Sequence, residues 1–196
     1  MKIFNRPWLM PILWVASTFC AAEPFPGSEN GMTKPPDTRC IMTVGSPLID
    51  YGVMSRWQLQ DIPGGNVSPG IRSTTVSVVC PHSRTIKLLV QGDANETGHL
   101  RYGERGHTLF HLSDVQLDGK PADLRSVMPD GMLEDAVSEP LPLTSGQRLV
   151  TLVNGQVTQG KTLTARLQIQ PVLSEEDARA SSLQRSTSGL TLTLVD

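Results

Sequence analysis

Aromatic side chains are scarce in this chain: four Phe, two Tyr and three Trp among 196 residues. A core must therefore be built mainly from aliphatic groups, and a stacked platform for bases or sugar rings has few residues to draw on. Basic charge is not in excess either. Seventeen Lys and Arg against 19 Asp and Glu leave a formal charge of −2 with no cationic run, which points away from nucleic acid and from anionic membrane surfaces. Long apolar runs are missing as well. The N-terminal stretch from Trp8 to Phe19 is interrupted by Pro11 and is too short for a bilayer span, which needs roughly 20 residues. Helical spacing of apolar residues is nearly absent, as are a Gly-x-Ser-x-Gly elbow, a Gly-rich phosphate loop and a dinucleotide fingerprint. No enzyme and no cofactor is implied.

What the N-terminus does carry is Lys2 and Arg6, then that apolar stretch, then Cys20-Ala21-Ala22 with small residues at the cleavage positions. This is the pattern of a secretory signal peptide over residues 1–22, cut after Ala22. Phe19 is too bulky for the position just before a lipoprotein cysteine, so Cys20 leaves with the signal. Cleavage leaves 174 residues, enough for one domain with a full core, and the loss of Lys2 and Arg6 takes the charge to −4. Cys40 and Cys80 remain, in a compartment that oxidises thiols. A disulfide between them is the economical expectation, with Cα atoms about 5.5 Å apart; two free buried thiols are the alternative.

Residues 23–39 hold Pro24, Pro26, Pro35 and Pro36 and few sizeable apolar groups, so a flexible segment is expected there and a folded domain over residues 40–196. From Cys40 the pattern has a period of two. Cys40, Met42 and Val44 alternate with Ile41 and Thr43, and Leu48 to Val53 forms the next extended piece. Thr74, Val76, Val78 and Cys80 share a face; a turn follows at Pro81 to Arg84, then Ile86, Leu88 and Val90. Thr108 to Leu112 and Val115 to Leu117 are weaker strand candidates before a turn at Asp118-Gly119. Arg148 to Val153 closes at Asn154-Gly155. Leu163, Ala165, Leu167 and Ile169 face inward along the clearest strand, and Leu190, Leu192 and Leu194 line the last one. A short helical turn fits Ser174 to Leu183, with Ser174 as cap. This set of strands with one disulfide describes an all-β, immunoglobulin-like antiparallel sandwich.

Few residues suggest chemistry. His107 and His111 would share a helix face, but on a strand four residues span about 13 Å, too far for one metal ion. Glu134-Asp135 and Glu175-Glu176-Asp177 read as solvated acidic stretches, with no catalytic pairing across a cleft. Trp57 and Phe110 read as core before they read as ligand platforms. Whether Arg56 to Gly70 binds anything or only connects is left open. The segment Gly189 to Asp196 is an alternating apolar strand. It either completes an ordinary sandwich or borders a gap that another protein's strand fills.

Cys40-Ile41-Met42-Thr43-Val44, then Leu48-Ile49-Asp50-Tyr51-Gly52-Val53, then a strand ending in Cys80, resembles the opening of chaperone-usher pilin domains. Gly160 to Leu167 resembles their penultimate strand and Leu190 to Val195 their last, so the resemblance spans Cys40 to Asp196. It implies a six-stranded incomplete sandwich whose missing strand is lent by a periplasmic chaperone and then, at the outer-membrane usher, by the N-terminal extension of a neighbouring subunit. Leu190, Leu192 and Leu194 would border that groove. Val195 stands where pilins usually carry an aromatic residue, and the prolines of residues 23–39 interrupt any extension of alternating apolar residues. A subunit that accepts a strand but donates poorly belongs at a fibre tip, or is not a fibre component at all. The function so implied is a structural and adhesive minor subunit of a fimbria at the cell surface, with a host receptor as a further partner. The competing expectation is a self-complete exported sandwich that binds a carbohydrate or protein.

Overall fold

The computed structural model describes residues 38–135, 139–179 and 183–195; the expected signal peptide and nearly all of the Pro-rich segment lie outside them. In chain order the strands are β1 (Ile41–Val44), β2 (Gln60–Ile62), β3 (Asn66–Ser68), β4 (Arg72–Thr85), β5 (Lys87–Gln91), β6 (Leu100–Tyr102), β7 (Gly106–Leu117), β8 (Lys120–Pro121), β9 (Asp123–Ser126), β10 (Leu141–Leu143), β11 (Arg148–Val153), β12 (Gln156–Val157), β13 (Gln159–Ser174) and β14 (Thr191–Val195). Two short 3₁₀ turns, Arg56–Gln58 and Asp177–Arg179, are the helical content among the described residues.

The larger sheet runs β1-β4-β13-β7, with β6, β8 and β10 paired to β7 and the β2–β3 hairpin joined to the end of β13. The smaller runs β14-β5-β11, with β9 and β12 also paired to β11. Alternation explains how they meet. Val76, Val78, Leu112, Leu163 and Leu167 on one inner face share a single buried core with Ile86, Leu88, Val90, Leu124 and Leu149 on the other. Each such side chain stabilises the fold by roughly 1.5–3 kcal/mol when fully covered. The chain is an all-β antiparallel sandwich.

The disulfide expectation holds: Cys40 and Cys80 are bonded, S–S 2.03 Å. Their Cα atoms are 4.1 Å apart, closer than expected. The register supplies the reason. Ile41 lies opposite Val79, so the two cysteines are direct cross-strand neighbours, and narrow antiparallel pairs sit about 4.5 Å apart.

Several sequence expectations need correction. No turn breaks the chain at Pro81 to Arg84, because β4 continues to Thr85. It does so through a bulge, Val79 to Arg84 facing only Thr162 to Gly160 on β13, and a bulge is where a strand tolerates proline. The two weak candidates around Asp114 are one strand, β7, whose buried phase switches from even to odd positions where Asp114 adopts φ 52° and the register with β13 shifts. Leu48 to Val53 is not a strand. Asp50 accepts a hydrogen bond from the Gly52 amide (2.8 Å), turning the chain, while the Tyr51 hydroxyl donates to the Ile169 carbonyl (2.8 Å) and Arg72 lies over its ring. That piece of the pilin-like opening is a turn with a tyrosine latch. The strand set also exceeds the six-stranded plan.

The turns at Asp118-Gly119 and Asn154-Gly155 hold, each with two successive positive φ values that suit tight hairpins. The proposed helix at Ser174 shrinks to one 3₁₀ turn, its first amide, Asp177, donating to the Ser174 hydroxyl oxygen (3.0 Å); residues 180–182 lie outside the described residues. Arg56 to Gly70 folds as the first 3₁₀ turn followed by the β2–β3 hairpin, Val67 lying opposite Leu173 on β13.

Candidate functional site

Both sheets end in an open edge on the same side of the sandwich. β14 pairs with β5, Leu192 opposite Val90, and among the described residues nothing pairs with its other edge. Among the described residues β1 pairs with β4 alone. The two edges flank one cavity of about 270 Å³ whose lining includes Cys40, Ile86, Lys87, Leu194 and Val195.

Between these edges runs a stripe of partly covered apolar side chains. Leu190, Leu192 and Leu194 face inward and pack on the core, as do Cys40, Met42 and Ile49 from the β1 side, but none is fully buried. Thr191 and Thr193 point outward, where the Thr193 hydroxyl donates to the Gln91 side-chain carbonyl (3.1 Å). An edge strand with free backbone groups beside a half-covered apolar stripe has the composition of a strand-addition site. A strand laid along β14 would satisfy its backbone groups and cover the leucines together. The sequence placed the three leucines on this face; the β1 half of the seam was hidden, because only topology brings residues 40–49 beside residues 190–195.

The other candidates have other places. Among the described residues no group of three or more His, Cys, Asp or Glu is arranged to hold a metal. Glu175 accepts from Arg56 (2.7 Å) and Arg179 (2.8 Å), and these partners hold its carboxyl below the usual range. Asp177 accepts from Ser174 and Arg105, which holds it down likewise. These acids brace loops. Glu134 lies apart, its amide donating to the Ser126 carbonyl. Phe110 is core at 5% exposure, but Trp57 is 93% exposed, against the expectation that it packs inside.

His107 and His111 share the outward face of β7, opposite Val172 and Gln168 on β13; Arg101 on β6 and Pro142 on β10 flank them on the other side. His99 stacks on His107, ring centroids 5.4 Å apart. Partial burial, and then the charge of His99, pull both His107 and His111 below their ordinary 6.5. The native state therefore binds fewer protons than the unfolded one in mildly acid solution. The resulting stabilisation is complete above pH 6.5 and is lost as pH falls through 6.5 and then through the lowered native values. Urea midpoints should fall from pH 7.5 to 5.5, and a His107→Gln/His111→Gln variant should show a flatter dependence; an equal slope in both proteins would contradict this.

No family model matches the chain, and no curated protein matches it.

Proposed function

We propose that the chain is a structural and adhesive minor subunit of a bacterial chaperone-usher fimbria, exported through the periplasm to the cell surface and completed by a strand from another protein. The open seam carries this reading: two edges, β1 and β14, that are unpaired among the described residues, with the half-covered stripe of Leu190, Leu192 and Leu194 between them. The disulfide from β1 to β4 and the latch formed by Asp50-Tyr51-Gly52 give the pilin-like motifs concrete structural roles in it. The partners it requires are a periplasmic chaperone, an outer-membrane usher and a neighbouring subunit. It assigns the chain no catalytic role, no cofactor and no nucleic acid.

The test is on the unmutated protein. A peptide copying the N-terminal extension of a neighbouring subunit should raise its melting temperature with concentration. At a hundred times Kd, mass action adds about 2.7 kcal/mol, or roughly 5–10 °C for a domain of this size. No shift with any such peptide, together with a stable monomer in isolation, would instead favour the self-complete binding module.

A further inference from the structure

Exposed apolar surface is concentrated in one segment. Of the twelve large apolar side chains exposed among the described residues, Leu48, Val53, Met54, Trp57 and Ile71 fall between residues 48 and 71. Trp57 is the extreme case, and its backbone is held firmly. Ser55 and Gln58 form a reciprocal cap on its 3₁₀ turn. The neighbouring Arg56 guanidinium is clamped between Asp61 (2.6 Å) and Glu175 (2.7 Å), and Glu175 is gripped in turn by Arg179. A large indole displayed on so braced a turn is pre-organised for contact, because little ordering is left to be done on binding. Trp and Arg are also the side chains that most often dominate protein interfaces.

The place of this surface matters. β4 begins and β5 ends at the same end of the sandwich: Gly92, just after β5, lies against Leu100, which pairs with Thr108, and Thr108 pairs with Pro171, close to where Ile169 pairs with Arg72. Thr191 lies opposite Gln91, so Leu190 and the start of β14 are at that end too. Tyr51 beneath Arg72, and the Gly45 amide bonded to the Thr75 carbonyl, place the loop after β1 there as well. The Trp57 surface therefore lies at the same end of the sandwich as Leu190.

Every strand pair among the described residues is antiparallel. A donated N-terminal extension that continues this pattern along β14 finishes at the Leu190 end, and the domain that follows it emerges at the end of the sandwich that carries Trp57. We propose that the Trp57 surface is the docking face for the folded body of the subunit that supplies the strand. This rests on the seam being a strand-acceptor site.

The test separates strand from body. Two probes are titrated against the full chain: the N-terminal extension of a neighbouring fimbrial subunit, as a peptide, and that whole subunit. Trp57→Ala should leave the peptide's affinity unchanged and weaken the whole subunit about tenfold or more, with Val53→Ser acting in the same direction. The variants should melt with the parent, since both side chains are exposed. Unchanged affinity for the whole subunit, or equal losses for both probes, overturns the docking face while leaving the seam reading intact. Failure of the peptide to bind the parent chain overturns the seam reading itself, and the docking proposal with it.

Discussion

Leu192→Asp should abolish strand capture, lowering affinity for an added strand by a hundredfold or more, while Thr191→Asp on the same strand changes it little. Leu192 faces inward and is only partly covered, so an incoming strand completes its burial. Losing the part of that burial that the strand completes forfeits a fraction of the roughly 1.5–3 kcal/mol of a fully buried leucine, and the larger loss is the desolvation of a carboxylate enclosed in the seam. At 1.4 kcal/mol per factor of ten, the sum exceeds two decades. Thr191 points outward into solvent, where a carboxylate keeps its water. Calorimetric titration of both variants with the strand peptide checks this, with thermal melts to confirm that each folds. Equal losses at the two positions would mean that the strand does not read the inward face of β14.

The second large effect concerns the covalent bond. A Cys40→Ala/Cys80→Ala variant should lose about 4 kcal/mol, the chain-entropy value for a loop of this length. For a domain of this size that lowers the melting temperature by roughly 10 °C. Cys80 is buried and Cys40 half-buried at the seam, so alanine at both removes some packing as well. Differential scanning calorimetry on oxidised, reduced and variant protein separates the contributions: reduction should reproduce most of the shift. A variant that melts within a degree or two of the parent would show that the bridge is not a main support of the fold.

Much of the sandwich was legible because alternation is a local signal. Val76, Val78, Leu163, Leu167 and Leu88 each declare their inward face through their immediate neighbours, and their strands fall where the pattern puts them. What failed was non-local or conformational. Pro81 looks like a break until β4 is seen to bulge there against β13, and Asp114 interrupts the alternation of β7 because one residue in the left-handed region flips the phase. Leu48 to Val53 reads as a strand by composition, but an aspartate that bonds an amide two residues on competes with strand geometry and wins. The short strands β2, β3, β6, β9 and β10 carry too few residues to show a period. The candidate site was half legible: the leucines of β14 were visible, whereas the complementary face from Cys40, Met42 and Ile49 exists only once β1 lies at the neighbouring edge. Trp57 was misjudged because nothing in the sequence distinguishes an indole held outward by its neighbours' ion pairs from one that packs inside.

The position of the disulfide has a mechanical consequence. β1 is four residues long and, among the described residues, is bonded on one side only, so a pull on its upstream end would load its hydrogen bonds one after another, as in opening a zipper. The bond between Cys40 and Cys80 lies at that upstream end, ahead of the first ladder residue, Ile41. Tension arriving from residues before Cys40 therefore passes through sulfur into β4, in the middle of the larger sheet, where it acts on the long ladder shared with β13 in shear. The stretch of residues 41–71, which includes Trp57 and the whole β2–β3 hairpin, lies off that path.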